Sequence, residues 1–311
     1  EKITINKLPD SEVNESWQLT DGASYDPNVF HKPSVEVKFF NSKTTLEIDM
    51  SFTDKQVRES FLSVDKLNAF ISAIYTAIEN SLTVKLDGLM ERAINNMIGE
   101  TLYADYGAAA YGTKSGVKAV NLLYLYNNTV NYGGTPLTAA AAIYTPEFIR
   151  YAAYVIKMYQ SYLNKMSSRF NVGGLPRFTP DDKMHLIMLT HFADAAKIYL
   201  QSDTYNDEYV ALPGSEIIPY WQGSGDGFAY DDCSTIKIEI DKGGSTEHID
   251  VTGVVGVMFD DDAVMVANLD KRVTSNYNPK GEFTNNFFKQ DVAVFNDLNE
   301  NFVCFIINDD T

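Results

Sequence analysis

Three clusters in this chain hold residues with chemical potential: a glycine-rich turn with a lysine, two histidines near an aspartate, and a run of three aspartates. Gly107, Gly112, Lys114 and Ser115 approximate a phosphate-binding loop. That motif works because backbone amides and a lysine converge on one phosphate; here Thr113 stands where Lys should follow the second Gly directly. No strand precedes the segment either, so it reads as an irregular turn. His185 and His191 are the closest histidine pair, with Asp194 following. A zinc enzyme needs at least three ligands aimed at one point plus an open position. The remaining histidines, His31 and His248, lie in distant segments of different pattern, so His185 and His191 read as core or cap residues. Asp260, Asp261 and Asp262 could coordinate a cation such as calcium or supply paired carboxylates. They separate two strand-like runs, and a solvated turn explains them without a ligand; Asp231-Asp232 and Asp309-Asp310 read the same way. Cys233 and Cys304 have no metal-type spacing and read as two reduced, buried thiols. No Gly-x-Ser-x-Gly elbow and no His-Glu-x-x-His occurs. The sequence presents no catalytic set and implies no cofactor.

Composition points the same way. The 311 residues suffice for about two domains and a sizeable core. Forty-two acidic against 25 basic residues give a net charge of −17, which argues against a protein that grips phosphates with a basic face. It does not forbid enclosing nucleic acid without gripping it. The 19 tyrosines and 18 phenylalanines do not interleave with arginines, so they read as core and subunit interface, not as stacking platforms. Apolar runs such as Ala139 to Tyr144 are too short to cross a bilayer. The charged start carries no signal-peptide pattern, and Glu1 in place of Met implies a start that was processed or lies outside this sequence.

The elements that must position these residues begin with a polar, β-patterned arm. Ile3 and Ile5, Trp17 and Leu19, Val35, Val37 and Phe39, and then Leu46, Ile48, Met50 and Phe52 alternate as half-buried strands do. Asp21-Gly22 and Asp26-Pro27-Asn28 are turn formers between them. A hairpin so thin is stable only when laid on something else, and a neighbouring subunit is the simplest support. Trp17, Leu19, Phe30, Val35, Val37 and Phe39 are therefore the expected contacts between subunits. Thr53 and Gln56 have capping-box spacing, and Ser63 is a candidate cap for one long amphipathic track. Its apolar positions run from Leu67, Phe70, Ile71, Ile74 and Tyr75 through Ile78, Leu82, Leu86 and Met90 to Ala93, Ile94 and Met97. Gly88 is a candidate bend. Gly107 to Gly134 reads as irregular connection. Thr145-Pro146 opens a helix with the stripe Phe148, Ala152, Val155, Tyr159, Tyr162 and Met166. Lys183 to Leu189 reads as a strand and Thr190 to about Leu200 as a helix. Ile236, Ile238 and Ile240 alternate, and Val251 to Phe259, Ala263 to Ala267, Val292, Val294, Phe302, Phe305 and Ile307 supply further strands. Long helices with mostly antiparallel strands make an α+β fold.

This order of elements resembles the major capsid proteins of tailed bacteriophages. The resemblance lies in the short helix Asp54–Leu62 and in Ser63-Val64-Asp65-Lys66-Leu67 opening the long helix. It extends to Val254-Val255-Gly256-Val257-Met258-Phe259-Asp260, to Lys271-Arg272-Val273-Thr274-Ser275-Asn276-Tyr277-Asn278-Pro279-Lys280-Gly281, and to Glu282-Phe283-Thr284-Asn285-Asn286-Phe287-Phe288. The Asn-Pro-Lys-Gly segment is most similar to capsid proteins of short-tailed phages of Gram-positive hosts. The resemblance implies the Hong Kong 97 fold. Residues 8–50 would form its extended loop, 51–118 and 268–311 a peripheral domain with the long spine helix, and 119–267 an axial domain. It also implies a virion protein, assembled in the host cytoplasm as hexamers and pentamers around double-stranded DNA. Scaffold, portal and decoration or head-fibre proteins would be its partners, and no membrane would be involved. Some relatives weld subunits by a Lys–Asn isopeptide bond; the lysine, asparagine and assisting glutamate are not matched here, and the activity is not carried over. An encapsulin-type compartment shell would share the fold. A cation-dependent hydrolase or binding module using Asp260 to Asp262 is the alternative of another class.

Overall fold

A computed structural model describes residues 3–7, 21–24, 28, 36–40, 43–60, 64–107, 114–201, 216–219, 221, 236–241 and 246–309. Strands β1 (Ile3–Lys7) and β2 (Glu36–Phe40) pair antiparallel, with Ile3 opposite Phe40 and Lys7 opposite Glu36. Next comes β3 (Thr44–Thr53), where Leu46, Ile48, Met50 and Phe52 are half-buried and the residues between them exposed, as their alternation predicts. The capping box then closes. The Gln56 amide donates to Thr53 Oγ1 at 3.3 Å and the Thr53 amide donates to Gln56 Oε1 at 3.2 Å, opening α1 (Asp54–Ser60).

The long track is a single helix, α2 (Val64–Tyr106), of 43 residues. At ~1.5 Å per residue it spans about 64 Å. Gly88 does not break it. Within it Thr76, Ser81 and Thr83 donate their hydroxyls back to the carbonyls of Ser72, Ala77 and Glu79, each at 2.9 Å. The helix ends where Gly107, at φ 66°, turns left-handed and its amide closes on Tyr103 O.

The stretch from Gly107 to Gly134, expected to be irregular, instead holds β4 (Ala119–Asn121) and α3 (Leu122–Thr129). Asn121 decides this locally, because its Oδ1 accepts from the amides of Leu123 at 3.1 Å and Tyr124 at 3.2 Å. Burial of Leu122, Leu123 and Tyr126 then outweighs the weak helix preference of so much Asn. Following α4 (Ala139–Ala142), α5 (Pro146–Leu163) starts with proline at its first turn. Thr145 does not cap it; its hydroxyl donates back to Ala141 O at 3.0 Å. Of the expected stripe, Phe148, Ala152 and Val155 are buried, whereas Tyr162 and Met166 are exposed. Strand β5 (Met184–Leu189), α6 (Thr190–Gln201) and β6 (Glu216–Ile218) follow, then β7 (Ile236–Asp241) and β8 (Thr246–Val251). The expected strand from Val251 to Phe259 is divided at Gly253, whose φ of 75° turns the chain into β9 (Val254–Asp260). A long antiparallel ribbon, β10 (Val264–Asn278) with β11 (Phe283–Asn296), precedes β12 (Phe302–Ile306).

Among the described residues the strands form four sheets, of which two matter most. A five-stranded sheet runs β4-β12-β9-β5-β6, with β12 parallel to β4 and antiparallel to β9. Its side chains alternate between two cores. Leu186, Met188, Val255, Met258, Val303 and Phe305 pack under α3, α5 and α6. Ile187, Leu189, Val257, Phe259, Phe302, Cys304 and Ile306 pack on the other side, with Met97, Ile98 and Leu102 of α2 and the β7–β8 isoleucines. The second sheet, β10-β11-β3, lies against α2. There Phe52 meets Phe70 edge-on at 5.9 Å, the Lys85 ammonium donates to Glu47 O, and Asn296 donates to Ala93 O.

Candidate assembly surfaces

One carboxylate holds β3, β10 and β11 together. Asp291 of β11 has a fully buried side chain, and Lys43 just before β3 places its ammonium 2.7 Å away. Thr45 donates to Asp291 at 2.7 Å, and Arg272 of β10 grips both its oxygens. The Arg272 guanidinium first, then Lys43 and Thr45, hold the Asp291 carboxyl well below the usual carboxylate range. Next to it on β3, Lys289 lowers the Glu47 carboxyl, whereas burial and Glu47 itself raise Asp49. At the far end of the ribbon, Asn278 Oδ1 accepts from the amides of Lys280 and Gly281. The tip is tied to α1, since the Asp54 amide donates to Glu282 O at 2.9 Å and Tyr277 donates its hydroxyl to Asp54 at 3.1 Å.

Only part of α2 belongs to a core. Ile78 and Leu82 are buried beneath the β10-β11-β3 sheet, and Ala93 to Leu102 under the five-stranded sheet. Ile71 and Tyr75, one helical turn apart, continue the apolar track but stay exposed, as do Val84 and Met90. This uncovered apolar side chain area is the clearest candidate surface for a partner.

Among the described residues, those singled out for chemistry do not converge. Asp260 is buried and its Oδ1 accepts from the Asp262 amide at 3.0 Å, which makes a closed turn. Asp261 pairs with His185 at 3.3 Å, and Asp262 with Lys183 at 3.8 Å. Three carboxylates facing three separate partners make no calcium site, and among the described residues no group of three or more His, Cys, Asp or Glu could hold a metal. His185 is not a core residue as expected. Its ring is half-exposed and stacks on Phe259. His191 and Asp194 are exposed on α6, and His248 pairs with Glu239 at 3.3 Å. Of the phosphate-loop candidate, Gly107, Lys114 and Ser115 are described, and they border a clasp on the end of α2. Asp105 accepts from the amides of Lys118 and Ala119, and Tyr106 donates to Lys114 O and Ala119 O. Gly116 fits there because a Cβ would lie 2.7 Å from Ala119 O. Burial pushes the Tyr106 hydroxyl up to about 12 and raises the Cys304 thiol further still. Cys304 is free and buried, as expected.

Trp17, Leu19, Phe30 and Val35 lie outside the described residues, as do His31, Ser63, Gly112, Asp231, Asp232, Cys233 and Asp310. Val37 and Phe39 take alternate positions of β2, opposite Asn6 and Thr4. The Asp291 cluster escaped the sequence reading because its partners are far apart in the chain. Its one signal was a carboxylate standing directly before the apolar Val292-Ala293-Val294-Phe295 run.

Among solved structures, the fold is similar to the capsid of Staphylococcus phage Andhra, with a TM-score of 0.54 at 8% identity over 99% of this chain and 80% of that one. It is also similar to a chain in the structure of the head fibre and inner core protein gp22 of native bacteriophage P68. There the TM-score is 0.56 at 8% identity over 100% of this chain and 81% of that one. No curated protein sequence matches the chain. The sequence model of the Phi29-like phage major capsid proteins, in contrast, matches residues 4–306. The exposed apolar track of α2 and the braced junction of β3, β10 and β11 thus belong to a structural component of a virion, and the chain is a member of the Phi29-like phage major capsid protein family.

Proposed function

We propose that this chain is the repeating subunit of an icosahedral shell of Hong Kong 97 type, assembling as hexamers and pentamers around double-stranded DNA. The observation that carries this reading is the apolar track of α2 continuing past its own cover into exposed Ile71 and Tyr75. A subunit that leaves such area open completes itself on its neighbours, and a closed lattice repeats each modest interface many times. In this reading residues 8–50 are the extended loop reaching over the adjacent subunit, with Trp17, Leu19, Phe30, Val35, Val37 and Phe39 as its contacts. Residues 51–118 and 268–311 form the peripheral domain, and 119–267 the axial domain. The host is Gram-positive and the phage short-tailed; scaffold, portal and decoration or head-fibre proteins complete the head.

Electron microscopy of the purified chain, with sedimentation at several concentrations, tests the proposal. Uniform icosahedral shells or sheets of hexamers support it. A chain that remains a compact monomer at every concentration overturns it. Protein cargo with no nucleic acid in native particles would replace the phage reading by an encapsulin-type compartment.

A further inference from the structure

We propose that the exposed face of α5, with the loop after it, is the surface on which enclosed double-stranded DNA rests, held through phosphates without reading of sequence. This rests on the shell reading above and names the side of the subunit that meets the contents.

The argument starts from charge. Residues 144–170 carry Arg150, Lys157, Lys165 and Arg169 against Glu147 alone, a local cationic surplus in a chain of net charge −17. Arg150, Tyr154, Lys157 and Ser161 follow three- and four-residue steps, which puts them on one side of the helix, and all four are exposed. The opposite side, with Phe148, Ile149, Ala152, Val155, Ile156 and Leu163, is sealed in the core. Beyond Asn164 the chain turns, and Lys165 and Arg169 are exposed there as well. Tyr162 stacks on Phe170 at 6.3 Å, which holds this turn against the end of the helix. Asp181 borders that end and accepts from Gln160 and Asn164.

The α5 face presents Arg150 and Lys157 along one edge of the helix and Lys165 and Arg169 in the turn after it, with Tyr144, Tyr154 and Tyr162 exposed nearby. A second copy of this acidic chain could also supply negative charge. Protein interfaces, however, deplete lysine at their centre, whereas here Lys157 stands in the middle of the face and Lys165 beyond it. A phosphate backbone attracts both. Arg150 and Lys157 stand about 10 Å apart along the helix axis, near enough to reach neighbouring phosphates of one strand with flexible side chains. One weak face per subunit, repeated over a shell, would hold DNA while leaving it mobile.

The test uses the dilute, unassembled full chain and a fluorescent duplex of about 30 base pairs, titrated from about 50 to about 200 mM NaCl. Four phosphate contacts predict a log–log slope near −3.6, hence roughly a hundredfold loss of affinity across that range. The variant R150Q/K157Q/K165Q/R169Q keeps helix-compatible side chains and should lose most of this salt-dependent binding, on the order of tenfold or more at low salt. A charge-matched control, K55Q/R58Q/K114Q/K280Q, should stay within about twofold of the parent. Thermal unfolding checks that both fold, and electron microscopy that both assemble like the parent. Binding lost equally in both variants, or retained in the α5 variant, overturns the inference. An α5 variant that binds DNA normally but cannot form shells overturns it too, and assigns the face to a neighbouring subunit. A parent chain that forms no shells yet binds DNA through this face would sink the shell reading and leave the DNA contact standing.

Discussion

Ile71→Ala and Tyr75→Ala should weaken assembly without weakening the subunit. Alanine is the best helix former, so neither change costs α2 its local stability. Tyr75 is 58% exposed and Ile71 42% exposed, so truncation removes little that the isolated chain has buried. A tyrosine buries roughly 150–250 Å² when fully covered, which leaves about 100 Å² of Tyr75 for a partner to cover. At ~25 cal/mol per Å² that area is worth about 2.5 kcal/mol per contact, or roughly 60-fold in an association constant. Ile71 adds about 1 kcal/mol by the same reasoning. The internal control is Met97→Ala on the same helix, where exposure is 0%. That change should cost the subunit about 2–5 kcal/mol of folding stability. Urea denaturation of the unassembled chain measures the second quantity, and the concentration at which shells appear by sedimentation measures the first. The reasoning fails if Tyr75→Ala destabilises the subunit as much as Met97→Ala, or if the double alanine variant assembles at the parental concentration.

Replacing residues 8–35 by a short flexible linker between the paired β1 and β2 should leave the melting temperature nearly unchanged but stop shell formation, read by electron microscopy. Asp291→Asn should lower the melting temperature at neutral pH by removing the counter-charge of Lys43 and leaving Arg272 with Asp270 alone. The folded-state pKa of Asp291 is depressed, so its contribution is complete above the unfolded value near pH ~4 and fades as pH falls below it. The gap between parent and variant in a melting series should therefore narrow on acidification through that range; a constant gap would contradict the clamp. Cys304 should resist alkylation in the native subunit and react only after unfolding, as followed by mass spectrometry, because burial keeps it a neutral thiol. Thr53→Ala should cost about 1 kcal/mol through loss of the capping box.

Much of the fold could be read where one periodicity ran unbroken. The three- and four-residue steps from Leu67 to Met97 gave α2, and strict alternation at Leu46, Ile48, Met50 and Phe52 gave β3. Reading failed where structure depends on partners distant in the chain. β4 is only three residues long and is a strand because Cys304 to Ile306 lie beside it. Beside the Gly-Lys-Ser segment, whose spacing breaks the phosphate-loop register, no sequence spacing announced that Asp105 takes the amides of Lys118 and Ala119 and that Tyr106 reaches the carbonyls of Lys114 and Ala119. His185 sits in an apolar run, yet the pleat turns its ring toward Asp261 at the surface. The α5 cations were visible as letters, but only the helix aligns Arg150, Tyr154 and Lys157 on one edge.

The place of β12 in the five-stranded sheet has a consequence for the timing of synthesis. It lies between β4 and β9, with every residue from Phe302 to Ile306 buried, and it supplies side chains to both cores. A ribosome delivers it after both of its neighbours, so until then the nascent chain holds a sheet with an empty central lane. Prematurely terminated chains that lack this lane cannot close either core and offer chaperones and proteases an open target. Both cores therefore close only at the end of synthesis.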